Sequence, residues 1–277
     1  MTLSRRNYFF KTGIFISVIS LIVIIVGSFV ILPVYPDLTT AAVQRSAGIL
    51  QVFMVPLLNP VPYAPFIAMI GAILYSLISL ILIYYFFEKT PAPEILFFAF
   101  FVLSFAFEGL RIMAPLKEVY ELPSVYLVMA SRVLLFGRYF GVFALFAASV
   151  YAAGWDVQKQ GYVVFIIAVV ALMIALNVPI DGLSWDSSLM PIVGYRGLLR
   201  LAEITLVLIT MISFFVSAYS RGNREYVFIG IGSFLVFLGR NILLNADTWV
   251  TPLPGLVSLG AGTWFICTQL HRVYLWL

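Results

Sequence analysis

The chain has 277 residues, 63% hydrophobic and 10% charged, with a formal net charge of +4 and a mean hydropathy of +1.08. That balance excludes an ordinary soluble domain and places the chain among polytopic membrane proteins, as one membrane domain without room for a separate soluble one. No basic run reaches five residues, which argues against nucleic acid, and a single cysteine and a single histidine exclude an internal disulfide, a multi-cysteine metal site and bis-histidine haem ligation.

Arg5, Arg6 and Lys11 precede the first apolar run, Thr12–Leu32. The run exceeds the roughly 7–15 residues of a signal-peptide core, and no small-residue cleavage site follows it. Residues 1–32 are therefore expected to be a retained signal-anchor helix with its N-terminus in the cytoplasm. Residues 33–62 carry Pro33, Pro36, Pro56, Pro60 and Pro62. They read as an outer-side loop with an interfacial or re-entrant helix between Leu38 and Leu58.

Seven further apolar runs follow, Tyr63–Phe87, Glu94–Met113, Ser124–Val150, Gly161–Val178, Tyr195–Tyr219, Tyr226–Leu244 and Gly255–Trp276. Each approaches the roughly 20 residues a spanning helix needs. The expected fold is an all-α transmembrane bundle of about eight spans, with the last seven, residues 63–277, forming the compact unit. Arg5, Arg6, Lys11, Lys89, Lys159, Arg221, Arg224 and Arg272 fall on the N-terminal side, whereas Asp37, Glu118, Glu121, Asp181, Asp186 and Asp247 fall on the opposite side. By the positive-inside rule both termini are cytoplasmic.

Inside the spans stand Glu108, Arg111, Arg132, Arg138, Arg200, Glu203 and Arg240. Each arginine at membrane depth costs about 2.5–3.5 kcal/mol on insertion scales, so something must solvate it. Glu108 and Arg111 are three apart on one helix, and Arg200 and Glu203 repeat that spacing with Arg196 one turn earlier. Asn241 and Asn245 follow Arg240. A purely structural reading pairs each glutamate with its own i,i+3 arginine, lets Arg240 reach Asp247 and leaves Arg132 and Arg138 to carbonyls and tyrosines.

The functional reading counts five arginines against two glutamates. A buried, net-positive cavity opening outward suits an anion, and guanidinium suits bidentate capture of carboxylate or phosphate. The aromatic-rich composition (25 phenylalanines) suits an amphiphile such as a lipid headgroup with its tails. A carboxylate from a partner membrane protein is the other candidate occupant.

Leu134-Leu135-Phe136-Gly137-Arg138 has a faint echo in Val236-Phe237-Leu238-Gly239-Arg240. The flanking helices should run in opposite directions, as in the inverted repeats of transporters, for which Gly137 and Gly239 are the candidate helix breaks. Gly137, Gly141, Ala144 and Ala148 form a small-residue stripe suited to close helix packing, and Ser258 and Gly262 suggest another.

No phosphate-binding Gly-rich loop, no HExxH and no lysine at a helix centre occurs, so nucleotide, metal and retinal chemistry have no candidate residues and no cofactor is expected. Glu108 and Glu203 are the only candidates for acid–base catalysis, and pairing with arginine counts against it. The leading expectation is a non-enzymatic ligand-binding membrane protein, a receptor or accessory subunit. Its site residues would be Arg111, Arg132, Arg138, Arg200 and Arg240, oriented by Glu108 and Glu203. A transporter of an anion or amphiphile and a lipid-modifying enzyme are the alternatives.

Overall fold

The computed structural model describes residues 3–33, 61, 63–90, 92–155 and 157–275. The helix expected between Leu38 and Leu58 lies outside them. The described elements are α1 (Leu3–Ile31), α2 (Ala64–Phe87), α3 (Pro93–Ser104), a 3-10 segment (Phe105–Ile112), α4 (Met113–Val119), α5 (Ser124–Ala152) and α6 (Gln160–Asn177). Strands β1 (Ile180–Trp185) and β2 (Pro191–Val193) follow, then α7 (Arg196–Arg221), α8 (Glu225–Leu244) and α9 (Pro252–Leu275). Among the described residues eight helical stretches are long and apolar enough to cross a membrane, with Pro93–Val119 counting as one. The molecule is an all-α polytopic bundle, and its multi-pass placement follows from those eight stretches.

Short polar links set the helix order. Pro65 and Pro93 sit in the first turns of α2 and α3, where the missing N–H costs nothing. Gly222 ends α7 in the left-handed conformation (φ 63°), which glycine adopts without strain. Buried Arg6 of α1 donates to the carbonyls of Phe87 (2.6 Å), Glu88 (2.9 Å) and Thr90, satisfying the otherwise orphaned C-terminus of α2. Arg6 is thus a capping group that ties α1 to the α2–α3 turn.

The span Pro93–Val119 is central. In its most apolar window 83% of residues are buried, against 22% for α1 and for α6. Phe97, Phe98, Phe101 and Phe105 are all buried there, and a helix apolar on every side belongs inside a core. It packs on α5, α2 and α1, while α6 and α7 lie outside α5. Small residues permit the approach. A Cβ at Gly137 would come within 2.7 Å of the Phe107 ring, and one at Gly141 would strike Ser104. α8 and α9 cross still closer, since a Cβ on Gly239 would stand 2.7 Å from the Gly255 carbonyl and the Leu259 nitrogen.

Gly137 and Gly239 lie in unbroken helix, so neither is the expected break. The irregular stretch is the 3-10 segment, eight residues long. Such segments rarely exceed about 3–4 residues. It occupies the middle of the central span and carries both Glu108 and Arg111.

The link after α6 holds an antiparallel hairpin that the sequence reading did not foresee, pairing Ile180 with Val193 and Trp185 with Pro191. Lys117 Nζ donates to the Gly182 carbonyl at 2.9 Å and lies 5.9 Å from the Trp185 ring centre. Exposed Asp181 accepts from the Leu183 N–H (2.9 Å) and from Ser184 Oγ, and these bonds hold its carboxyl below the usual range. Buried Leu189 plugs the hairpin into a cluster with Ile24, Ile31, Phe66, Met69, Ile73 and Ile112.

Candidate functional site

The polar centre lies at the hairpin end of the bundle and is built from the 3-10 segment outward. Three residues per turn place positions i and i+3 directly above one another, so Glu108 and Arg111 point the same way. Glu108 is held by Arg138 of α5, whose Nε donates to Oε1 at 2.7 Å and whose Nη2 donates to Oε2 at 2.6 Å. This is the bidentate geometry that makes arginine–carboxylate pairs strong. Arg111 Nη1 reaches the same carboxylate at 3.5 Å, and its Nη2 donates to the Ser188 carbonyl in the hairpin turn. Glu108 and Arg111 are 1% and 2% exposed, so one carboxylate serves two cations where water cannot. Arg111 Nε is buried without a hydrogen-bond partner.

A second pair lies beside the first. Arg240 of α8 donates from Nη1 to Glu203 Oε1 of α7 at 2.8 Å and from Nη2 to the Arg138 carbonyl at 3.4 Å. The i,i+3 pairing expected on α7 does not occur. Glu203 turns to Arg240, while exposed Arg200 has no ion-pair or hydrogen-bond partner among the described residues. Arg240 does not reach Asp247, which instead accepts from Ser187 Oγ at 3.3 Å. On the 3-10 segment the local pair of Glu108 and Arg111 survives, but only as the longer contact beside Arg138.

The hairpin turn supplies a third carboxylate. Asp186 Oδ1 accepts from the Ser188 N–H (3.1 Å), Ser188 Oγ (2.7 Å) and the Met190 N–H (2.9 Å), and these bonds fix the turn. Its Oδ2 accepts from Arg196 Nη2 at 3.1 Å. An acid followed by two serines in a loop is the sequence signature of such side chain-to-backbone turns, and it was the available clue to Asp186.

Together α5, α7, α8 and the hairpin enclose a cavity of about 230 Å³. Arg138, Arg196, Arg200 and Arg240 line it against only two carboxylates, Asp186 and Glu203, with Tyr139, Asn241 and Asn245 alongside. The side-chain amides of Asn241 and Asn245 donate to their own helix, at Phe237 and Asn241. The fold therefore brings Arg138, Arg200, Glu203 and Arg240 to one cavity, whereas Glu108 and Arg111 lie behind Arg138 and outside its lining. Arg132 stands apart. It lies on another side of α5 and donates to the Leu176 carbonyl of α6 at 2.9 Å. Among the described residues no group of three or more His, Cys, Asp and Glu side chains is placed to hold a metal.

No family model matches the chain, and no solved structure matches it. A protein of Treponema pallidum (strain Nichols), described as an uncharacterized protein, is 21% identical over 239 residues, covering 69% of each chain.

Proposed function

We propose that this membrane protein is a non-enzymatic receptor or accessory subunit that takes the anionic headgroup of an amphiphile into the arginine-lined cavity. In this reading the hairpin end faces outward and both termini face the cytoplasm. The observation that carries it is Arg200, the one arginine of the lining without a carboxylate partner among the described residues, since Arg138, Arg196 and Arg240 pair with Glu108, Asp186 and Glu203. A bound anion would supply the neutralisation that the chain itself does not. A volume near 230 Å³ suits a headgroup rather than a whole lipid, since sites for drug-sized ligands run about 300–1,000 Å³. Beside the rim, Leu198 and Leu201 of α7 are exposed, which leaves the tails a route to stay in the bilayer. Glu108 and Glu203 act here as orienting groups. Each is engaged by arginine within 2.8 Å.

Native mass spectrometry on protein extracted gently from its own membrane tests this. An anionic adduct is expected, with occupancy reduced about tenfold in Arg200→Gln, the loss of roughly one charge-assisted hydrogen bond. Arg200 holds no buried pair, so the variant should fold as the parent does. A co-purifying polypeptide lost in the same variant would instead make the occupant a partner's acidic group. An adduct indifferent to Arg200→Gln would remove the cavity from consideration.

The transporter reading has one observation in its favour, the 3-10 interruption of the central span where two of the charges sit. Uptake of an anionic amphiphile into proteoliposomes, abolished by Arg138→Leu, would favour it over a receptor.

A further inference from the structure

A second feature of the bundle lies away from the charged cavity. α5 and α6 leave between them a lipid-facing groove of about 430 Å³, lined by Val133 and Phe136 on one side and Phe165, Ala168 and Leu172 on the other. Arg132 is the one charged residue in its lining. From Phe165 to Leu176 the groove follows eleven residues of α6, which at 1.5 Å per residue is about 16 Å. That is close to half of the roughly 30 Å hydrocarbon core, one leaflet deep. Leu176 is the penultimate residue of α6, and Arg132 Nη1 donates to its carbonyl, so the guanidinium sits at the hairpin end of the groove, where headgroups lie. No carboxylate pairs with Arg132 among the described residues, and its remaining donors have no partner there.

We infer that this groove is a binding site for an anionic phospholipid, with one acyl chain along α5 and α6 and the phosphate on Arg132. Three observations converge on that occupant. The trough is apolar along one leaflet's length, the small side chain of Ala168 leaves its floor open, and a single uncompensated cation closes the headgroup end. A zwitterionic lipid offers the same chain but brings its own ammonium to the arginine, so the site prefers a net-negative headgroup. Sulfate or free phosphate fits the cation but not the trough. The site is separate from the arginine-lined cavity and stands or falls independently of it.

The test is lipid titration of the delipidated full-length protein by native mass spectrometry, with phosphatidylglycerol and phosphatidylcholine of matched chains. Phosphatidylglycerol should bind about tenfold more tightly to the parent, and Arg132→Gln should remove that preference while Arg132→Lys restores part of it. Ala168→Trp, at a half-buried position facing lipid, should weaken both lipids by filling the trough. Arg200→Gln, which weakens the cavity's own hold on an anionic headgroup, serves as the parent for these comparisons, so that a preference lost with Arg132→Gln reports on this groove and not on the cavity. Equal binding of the two lipids to the parent, or a preference that survives Arg132→Gln, overturns the proposal. Inorganic phosphate competing as strongly as the lipid would overturn the acyl-chain half of it. Thermal unfolding midpoints within a few degrees of the parent establish that each variant is folded.

Discussion

Glu108 accepts from Arg138 through both of its oxygens while Arg111 stands 3.5 Å from one of them; Glu108 and Arg111 have almost no access to water, and Arg138 is largely buried. Removing the carboxylate leaves the buried Arg111 and the partly buried Arg138 without a counter-charge. Loss of one partner of a buried pair costs about 3–5 kcal/mol, because the remaining charge is left unsolvated. Glu108→Gln should therefore lower stability by about that much in detergent unfolding. Glu203→Gln should cost less, since Glu203 retains 20% side-chain exposure and water can reach the site. Replacing Glu108 and Arg138 together by Leu and Met should recover part of the loss, since one of the two uncompensated guanidinium groups goes with its partner and only Arg111 is left. A Glu108→Gln protein as stable as the parent would show that the carboxylate is not needed to neutralise Arg138. The seven charged residues of the spans could be collected from the sequence by position alone. Their partners could not, because a helix displays neighbours three and four apart and hides those of other helices. Hence the local pair on α7 was expected, while the structure pairs Glu203 across to Arg240.

Glycine sets how near two helices come, and the cost of adding a methyl group depends on what it meets. At Gly137 the obstacle is the Phe107 ring, a side chain able to turn away. At Gly239 it is the backbone of α9, with the Gly255 carbonyl and Leu259 nitrogen both at 2.7 Å. Gly239→Ala should therefore destabilise more than Gly137→Ala, by the few kcal/mol that overpacking commonly costs, with thermal unfolding in detergent as the measurement. The reverse order would mean that α9 shifts more readily than Phe107. The stripe at Gly137, Gly141, Ala144 and Ala148 was legible from its spacing, and it does face the central span. The 3-10 segment was not legible. Its sequence, Phe105-Ala106-Phe107-Glu108-Gly109-Leu110-Arg111-Ile112, reads as ordinary apolar helix. The geometry coincides with what its charges reach on α5 and in the hairpin, and both partners are remote in sequence.

At the scale of the whole molecule the links alternate between two ends. The α2–α3, α6-preceding and α7–α8 links share the end with α1's first turn, as Arg6 shows by donating into the α2–α3 turn. The hairpin occupies the other end, where Leu189 packs with Ile31. The charge bias of the links predicts that the hairpin end faces outward. In intact cells carrying the Cys267→Ser background, Ser184→Cys should react with a membrane-impermeant maleimide, whereas Asn223→Cys should react only after lysis. The opposite pattern would invert the orientation and move the arginine-lined cavity to the cytoplasmic leaflet.

The sequence by itself determined the membrane class, the eight long apolar helices found among the described residues and the charged residues those stretches carry. Those follow from the run length of apolar residues and the high cost of a buried charge, both local quantities. Tertiary structure decided the rest. It made Arg6 a cap, turned Glu203 from Arg200 to Arg240, brought Asp186 and Arg196 into the cavity and set Arg132 in a groove of its own. Each of those outcomes depends on which helices touch and at what depth. That is fixed by small-residue contacts and buried ion pairs between segments far apart in the chain, and no periodicity within a single helix encodes it.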